Sequence, residues 1–425
     1  MHFFQYQNDV LCCEETPIDA IAREVDTPFY LYSHRTIERH FRVFDSAFAS
    51  VPHVVCYSLK ANSNLALIRV FQRMGSGADV VSGGELFRAL KAGVSPAKIV
   101  FSGVGKTSRE IEYALENRIF LFNVESTQEL TKIDAQAGRL GAQAPVALRV
   151  NPDVDPRTHS HISTGLRENK FGIAYGEALS VFRAARDLKH INMVGIDCHI
   201  GSQVTELDPF VEALRKLREL VRLLESEGIR IRFMDLGGGL GITYQDEAPP
   251  HPSDYAQAIC EEARELDVTL IFEPGRVIVG NAGILVTKVL YIKRTSEKLF
   301  VIVDAGMNDL IRPSFYGAFQ AILPVVKRGG REVVADIVGP ICESADFFAK
   351  ARTMIEPEAG DLLAIMSAGA YGFSMSSNYN SRVRACEVLV RGDTSAVIRE
   401  RETYDDLIKG ESVPGFLDEG MVKAR

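Results

Sequence analysis

One lysine stands where an apolar run ends. Residues 54–62 read Val-Val-Cys-Tyr-Ser-Leu-Lys-Ala-Asn, so the apolar stretch stops at Lys60. Ser63 or Asn64 can cap a helix that begins at Leu65, which places Lys60 at the C-terminal end of a buried strand. We expect burial to favour the neutral amine, which attacks carbonyl groups. The alternative is a lysine whose stem covers apolar surface at a strand end.

Two glycine-containing segments follow later apolar runs. They are Gly237, Gly238 and Gly239 after the run 233–236, and Glu273, Pro274, Gly275 and Arg276 after the run 268–272. Glycine lets backbone N–H groups approach an anion closely, and an arginine adds a positive charge. Tight turns use the same residues, and the P-loop pattern is absent. We interpret the two segments as a phosphate site.

A strand-end lysine beside a phosphate site indicates pyridoxal 5'-phosphate, which needs both. This cofactor also needs a group at its pyridine nitrogen, and the carboxylate of Glu273 can hold that nitrogen protonated. His199, which follows another apolar run, can stack on the ring. The alternative for His199 is a hydrogen-bonded core histidine, but its place at a strand end favours a function.

The elements that must position these residues form a regular series. Each gap between the runs holds an amphipathic helical pattern, which indicates a parallel sheet. Polar or glycine residues end nearly every run. We therefore predict a (β/α)8 barrel, whose site lies at the strand ends. An open doubly wound sheet is the alternative. The eight apolar runs are 53–60, 78–82, 98–103, 119–126, 145–152, 193–201, 232–239 and 268–275.

After Arg276 the pattern changes to strand-like runs with few helical stretches, which predicts a second, mostly β domain. We therefore expect residues 28–276 to form the cofactor-binding barrel, 1–27 plus 277–415 to form the β domain, and 416–425 to be a tail. The runs behind this prediction are 284–292, 299–304, 333–338, 362–366 and 383–390.

Composition excludes several other classes of protein. The chain is 46% hydrophobic and 24% charged, as soluble globular proteins are. A net charge of −8 gives no reason to expect nucleic acid or an anionic membrane as a partner. No signal peptide, membrane span or metal-site cysteine spacing is visible, so we expect a cytoplasmic enzyme without a structural metal.

Five motifs in order resemble the diaminopimelate decarboxylase family, fold-type III (alanine racemase-like) pyridoxal-phosphate enzymes that pair a barrel with a β domain. The resemblance covers nearly the whole chain. In the segment 159–165 this sequence has Ser-His where the family often has Pro-Tyr. The motifs are Tyr57–Asn62, His199–Ser202, Gly237–Gly241, Glu273–Arg276 and Cys342–Asp346.

The resemblance implies roles at the matching positions. Lys60 would bind the cofactor covalently, His199 would stack on it, and Glu273 would pair with its ring nitrogen. Cys342 would stand near Cα as the proton donor. The cofactor-binding residues would also include Asp79, Ser202, Gly237, Gly238, Gly239, Pro274, Gly275, Arg276 and Tyr371, and the substrate-binding residues would be Arg276, Arg312, Tyr316, Glu343 and Tyr371.

The reaction implied is decarboxylation of meso-2,6-diaminopimelate to L-lysine and CO2, the last step of lysine biosynthesis. Only one end of this substrate loses CO2, so the site must grip the other end with an arginine for its carboxylate and a carboxylate for its ammonium. Arg312 with Glu343 fits that need, although the two could instead form a surface ion pair.

Other functions stay open at this point. A related decarboxylase of carboxynorspermidine or of a basic amino acid is the nearest, and an alanine-type racemase or a non-catalytic cofactor carrier is further away. Glu273 argues against the racemase, which favours an arginine at the ring nitrogen, and the β domain argues against the carrier. In the family the loop with Cys342 and Glu343 crosses to a partner subunit, so the resemblance implies a homodimer with shared active sites.

Overall fold

The computed structural model describes residues 2–155 and 169–417 of the chain. It begins with a small antiparallel sheet of three strands, which a helix follows. These elements are β1 (Phe4–Gln7), β2 (Val10–Cys13), β3 (Thr16–Pro17) and α1 (Ile18–Val25). Next come the strand β4 (Phe29–Ser33) and the helix α2 (His34–Ala47). The hydroxyl of Ser33 caps α2 by accepting a hydrogen bond from the backbone N–H of Thr36.

Eight parallel strands then close into a barrel. The pairing of β8 with β9 joins the two ends of the series, so the (β/α)8 barrel is confirmed and the open sheet is wrong. A two-residue strand, β10 (Ile173–Ala174), adds to one edge of β9. The barrel strands are β5 (His53–Ser58), β6 (Gly77–Val80), β7 (Ile99–Phe101), β8 (Leu121–Val124), β9 (Ala144–Asn151), β11 (Ile191–Asp197), β12 (Phe233–Asp235) and β13 (Thr269–Phe272).

Helices cover the outside of the barrel. Each presents an apolar face at three- and four-residue spacing; in the longest of them Leu214, Leu217, Val221 and Leu224 are buried against the strands. Side chains of Asn64, Ser82, Thr107 and Ser126 cap four of the N-termini. The helices are α3 (Leu65–Arg73), α4 (Gly83–Lys91), α5 (Ser108–Glu116), α6 (Thr127–Leu140), α7 (Tyr175–Ala185), α8 (Asp208–Ser226) and α9 (Pro252–Ala263).

The second domain is mostly β, as predicted. Its main sheet has the strand order β18-β17-β15-β14-β4-β20-β21, and β19 pairs with both β14 and β16. Three of these strands, β16, β18 and β21, were not predicted. The elements are α10 (Arg276–Val279), β14 (Gly283–Arg294), β15 (Leu299–Val303), α11 (Arg312–Tyr316), β16 (Ile322–Pro324), β17 (Glu332–Val338), β18 (Phe347–Ile355), β19 (Leu362–Ile365), β20 (Cys386–Arg391), β21 (Thr394–Arg399) and α12 (Tyr404–Leu407).

The position of the strand β4 changes the predicted start of the barrel domain. It lies between β14 and β20, with Tyr30 opposite Leu285 in the antiparallel pair, so it belongs to the second sheet. The barrel therefore begins after Ser33 and not at residue 28. Leu11 and Ile18 share a buried core with Ile284, which fits the prediction that residues 1–27 pack on the β domain.

Little of the predicted tail is described. Residues 416 and 417 are exposed, and the rest of the predicted tail lies outside the described residues. Within the ranges 2–155 and 169–417, no helix is long and apolar enough to cross a membrane.

Candidate active site

Lys60 lies two residues beyond β5 and is held by a carboxylate. Its Nζ donates a hydrogen bond of 2.8 Å to Asp79 Oδ2, which also accepts one of 2.6 Å from the hydroxyl of Ser58. Burial lowers the pKa of Lys60, but the negative charges of Asp79 and Glu273 outweigh it and raise the pKa above its ordinary value. The expectation that Lys60 is neutral through burial is wrong for this structure. A neighbour must take its proton before the amine can attack, and Asp79 is in contact.

Glu273 follows β13 and sits among other polar groups in the barrel. Its Oε1 accepts hydrogen bonds from Ser102 Oγ at 3.1 Å and from Asn123 Nδ2 at 3.2 Å. The same amide of Asn123 donates to Asp235 Oδ2 at 3.0 Å, so it bridges two carboxyl groups. Burial, with the nearby Asp235 and Asp79, raises the pKa of Glu273 well above its usual range. Glu273 can therefore hold a proton and present it to a ring nitrogen.

His199 follows β11 as an uncharged ring. Its Nδ1 accepts a hydrogen bond of 3.2 Å from the backbone N–H of Gly238. Burial, and then the positive charges of Arg149 and Lys60, lower the pKa of His199 well below its ordinary value. The imidazole is neutral with its proton on Nε2, which suits a stacking role better than an ion-pairing role.

The glycines after β12 bring three loops together. A Cβ on Gly238 would collide with the backbone carbonyl of Glu273, and one on Gly239 (φ +117°) would lie 2.6 Å from the carbonyl oxygen of Gly201. The segment therefore needs glycine for close backbone packing as well as for a left-handed conformation. The N–H of Gly238 donates to His199, so Gly238 helps to form the cavity by fixing the orientation of that ring.

These residues line one cavity at the mouth of the barrel. Ser202 Oγ accepts a hydrogen bond of 3.0 Å from Arg276 Nη2, so a hydroxyl and a guanidinium stand together in this cavity. An amine, a flat aromatic ring, a buried carboxyl group and a cationic group fit the groups of pyridoxal phosphate. The cavity is lined by Ser58, Lys60, His199, Ser202, Gly238, Gly239, Leu240, Glu273, Gly275, Arg276 and Tyr371.

A second cavity adjoins the first and shares His199, Ser202, Arg276 and Tyr371 with it. Arg312 and Tyr316 line this second cavity, as the substrate-binding prediction requires. The backbone of Tyr371 is in the left-handed region (φ +56°), and its N–H donates to the carbonyl of Ala61 at 2.8 Å. Strained backbone of this kind is common at functional sites because surrounding contacts hold it in place.

The two arginines of the second cavity are buried cations. Arg276 and Arg312 are each 6% exposed. No carboxylate of residues 2–155 and 169–417 forms an ion pair with either, and the groups around them are tyrosines and each other. A buried charge without a counter-charge is costly, so the arrangement is suited to an anionic ligand.

Cys342 and Glu343 are not brought to these cavities. Both are exposed, and neither lines the first or the second cavity. The backbone N–H of Cys342 donates to Asn380 Oδ1 at 2.8 Å on the outside of the β domain. One chain therefore assembles the predicted site without these two residues. The segment 159–165, where the sequence departs from the family pattern, lies outside the described residues.

Sequence reasoning missed several residues that the structure places around the site. Ser102 directly follows the third barrel strand, where a polar strand end was noted without a role, and Asn123 lies within the fourth strand. Tyr244 lies three residues after Gly241 and lines the second cavity. The strand-end rule could have found Ser102, but nothing in the sequence marks Asn123 or Tyr244.

Comparisons with known proteins agree with this geometry. The family model described as the pyridoxal binding domain of pyridoxal-dependent decarboxylases matches residues 34–280. The chain is 52% identical to diaminopimelate decarboxylase of Vibrio cholerae, with 97% of this chain and 99% of that protein covered. It is 53% identical to the enzyme of Pseudomonas aeruginosa at the same coverage.

Solved structures give the same result. The structure of diaminopimelate decarboxylase from Helicobacter pylori complexed with L-lysine is similar with a TM-score of 0.90, at 45% identity, covering 95% of this chain and 100% of that one. The M. jannaschii enzyme in complex with L-lysine is similar with a TM-score of 0.93, at 41% identity, covering 97% and 98%.

A closed barrel with a lysine at its mouth, joined to a β domain, is the architecture of fold-type III pyridoxal-phosphate enzymes, and the family match makes this chain a carboxy-lyase among them. Within this class the identity to curated relatives is about half over nearly the full length of both chains. The chain belongs to the diaminopimelate decarboxylase family, so the resemblance seen in the five motifs is confirmed.

Proposed function

We propose that this enzyme decarboxylates meso-2,6-diaminopimelate to L-lysine and CO2 with pyridoxal phosphate as its cofactor. The observation that carries the proposal is the pair of buried arginines, Arg276 and Arg312, in the cavity that adjoins the one around Lys60; neither forms an ion pair with a carboxylate of residues 2–155 and 169–417. A substrate that keeps a carboxylate at its unreacted end would neutralise them. Ornithine and lysine have no carboxylate at that end.

The residues around the first cavity would hold the cofactor. Ser202 and Arg276, with the backbone of Gly238, Gly239 and Gly275, line this cavity and would bind the phosphate, and Gly237 and Pro274 would support these loops from outside the lining. When bound, pyridoxal phosphate supplies an electron sink for the electron pair released as CO2 leaves. The amine of Lys60 would bind it, with Asp79 placed to take the proton that the amine must lose.

Two further groups would tune the reaction from fixed positions. Glu273 would hold a proton at the ring nitrogen, because burial raises the pKa of its carboxyl group and Asn123 fixes its orientation. His199, a neutral ring held by Gly238, would cover one face of the cofactor and exclude water from it. A preorganised group of this kind stabilises charge without reorganising during the reaction.

Arg276, Arg312, Tyr316 and Tyr371 would bind the unreacted end of the substrate. The arginines must grip the carboxylate that stays and not the one that leaves. A cation at the departing carboxylate would stabilise the ground state more than the transition state and slow the reaction. In this arrangement binding energy at the far end orients the leaving carboxylate in the cavity between Lys60 and His199.

Cys342 and Glu343 would come from a second copy of the chain. In their own chain both residues are exposed and line neither cavity, which supports a two-fold homodimer with shared active sites. Glu343 would then take the distal ammonium, and Cys342 would return a proton to Cα. Cytoplasmic location is also proposed, and the free thiols of all seven cysteines support it.

The proposed function is tested by the release of CO2. Purified protein loaded with pyridoxal phosphate is supplied with meso-diaminopimelate, ornithine, lysine or carboxynorspermidine, and labelled CO2 and L-lysine are measured. We expect rapid release from meso-diaminopimelate alone, with L-lysine formed in equal amount. Faster release from ornithine or carboxynorspermidine would assign the chain to one of the sister decarboxylases instead.

A further inference from the structure

Tyr244 lies between the two arginines of the second cavity. It is 8% exposed, and its hydroxyl oxygen accepts a hydrogen bond of 2.7 Å from Arg276 Nη1. The guanidinium carbon of Arg312 lies 4.5 Å from the centre of its ring. One side chain therefore contacts both cations, the first through its edge and the second through its face.

This arrangement stabilises two like charges without neutralising them. Burial lowers the pKa of Arg312, and the charge of Arg276 lowers it further. An aromatic face and a phenol oxygen both attract cations, so Tyr244 offsets part of that repulsion. A carboxylate in the same place would form an ion pair and remove the positive charge that an anionic ligand needs. The neutral tyrosine leaves both charges available.

The segment that carries Tyr244 is fixed at both ends. The side-chain amide of Gln203 donates to the carbonyl of Ile242 at 2.6 Å, and its oxygen accepts from the N–H of Ile242 at 3.1 Å. Beyond Tyr244, Glu247 Oε2 accepts from the backbone N–H groups of Tyr244 at 2.9 Å and Gln245 at 2.7 Å. The ring is therefore a rigid support, as a site that selects by geometry requires.

We propose that Tyr244 is a positioning residue that sets specificity for a distal carboxylate. Its hydroxyl holds the guanidinium of Arg276, and its ring holds that of Arg312. The remaining N–H groups of both arginines can then bind one carboxylate. This inference rests on the proposed function, because it names a residue that acts on the same end of the same substrate.

The test uses Tyr244→Phe in the enzyme loaded with its cofactor. The substitution keeps the ring under Arg312 and removes only the acceptor for Arg276. We expect KM for meso-diaminopimelate to rise about 10-fold, since a hydrogen bond to a charged group is lost, with kcat changed less than about twofold. Inhibition by L-lysine, which keeps the carboxylate, should weaken by the same factor, and inhibition by cadaverine, which lacks it, should not change.

Two controls separate positioning from general damage to the fold. Tyr175→Phe makes the same chemical change on helix α7, where the hydroxyl donates to the carbonyl of Lys216 and lines neither cavity. It should leave KM unaltered. Combining Tyr244→Phe with Arg276→Lys should raise KM no further than Arg276→Lys alone, because both act through one contact.

The proposed role of Tyr244 and the proposed function of the enzyme can fail independently, and the results distinguish the two failures. If wild-type protein releases no CO2 from meso-diaminopimelate, the proposed function fails whatever Tyr244 does. The positioning role is wrong if the wild type is active but Tyr244→Phe leaves KM unaltered. It is also wrong if the substitution weakens inhibition by lysine and inhibition by cadaverine equally. Should Tyr244→Phe fold poorly, the same comparison of lysine with cadaverine applies to Gln203→Ala, which loosens the segment without changing the ring.

Discussion

Two inactive variants of this enzyme should restore each other's activity. Lys60 lines the cavity of its own chain, while Cys342 is exposed on the β domain and reaches neither cavity. If each site takes Cys342 from a second copy, Lys60→Ala and Cys342→Ala damage different halves of the site. We expect either variant alone to be inactive, the first without its covalent link to the cofactor and the second without its proton donor.

The size of the recovery follows from counting sites. Random exchange of equal amounts makes about half of the dimers mixed. In a mixed dimer one site combines the mutant Lys60 position with the mutant Cys342 position, and the other combines both native residues. One intact site in half of the dimers is about a quarter of the wild-type number of sites, so activity should approach about a quarter of the wild-type value.

The assay measures CO2 release after subunit exchange, with differently tagged chains to prove that mixed dimers form. A matched control pairs Lys60→Ala with Arg312→Ala. Arg312 lines a cavity that adjoins the one around Lys60 in the same chain, so each site of a mixed dimer carries one lesion. Exchange should therefore not raise the activity above the mean of the two parent variants. Recovery in the control, or none in the test pair despite proven exchange, would refute the shared-site reasoning.

Three other substitutions test single residues. Lys60→Ala should abolish the visible absorbance of bound cofactor and the adduct formed on borohydride reduction; an adduct that maps to another lysine would show that Lys60 has been misassigned. Glu273→Gln should slow kcat by about 10²- to 10³-fold while thermal unfolding at neutral pH changes little, because the amide replaces a carboxyl group whose pKa burial raises. Equal small losses of rate and of cofactor affinity would argue against a role at the ring nitrogen. Arg312→Ala should leave the absorbance intact and raise KM for meso-diaminopimelate roughly 10- to 100-fold, since charge-assisted hydrogen bonds are lost; an unaltered KM would place the distal carboxylate elsewhere.

The barrel could be predicted because its strands are buried on both faces. Such strands are continuous apolar runs, and all eight appear in the sequence at the places where the structure has them. The edge strands of the β domain carry a weaker signal. In β18 only Phe348 and Ala349 are buried, and β21 has no buried residue, so neither forms an apolar run. The segment of β4 was placed in the barrel domain by the predicted boundary at residue 28, because a strand that pairs about 250 residues away leaves no local mark in the sequence.

The site was predictable as far as the strand-end rule reaches. It located Lys60, His199 and Glu273 at one mouth because parallel strands of a barrel end on the same side. It did not give the protonation state of Lys60, which depends on Asp79, 19 positions away in sequence but 2.8 Å away in space. Tyr244 shows the same limit, since its role depends on two arginines that come from α10 and α11 of the folded chain.

The charges of the two cavities explain how a symmetric-looking substrate is oriented. Arg276 and Arg312 form no ion pair with a carboxylate of residues 2–155 and 169–417, and both line the second cavity. A molecule with an amino acid at each end gains most by placing one carboxylate at these buried cations. Its other carboxylate would then lie towards the cofactor and would be the one that leaves. The distal ammonium still needs an acidic partner, which the proposed homodimer would supply as Glu343 of the partner subunit.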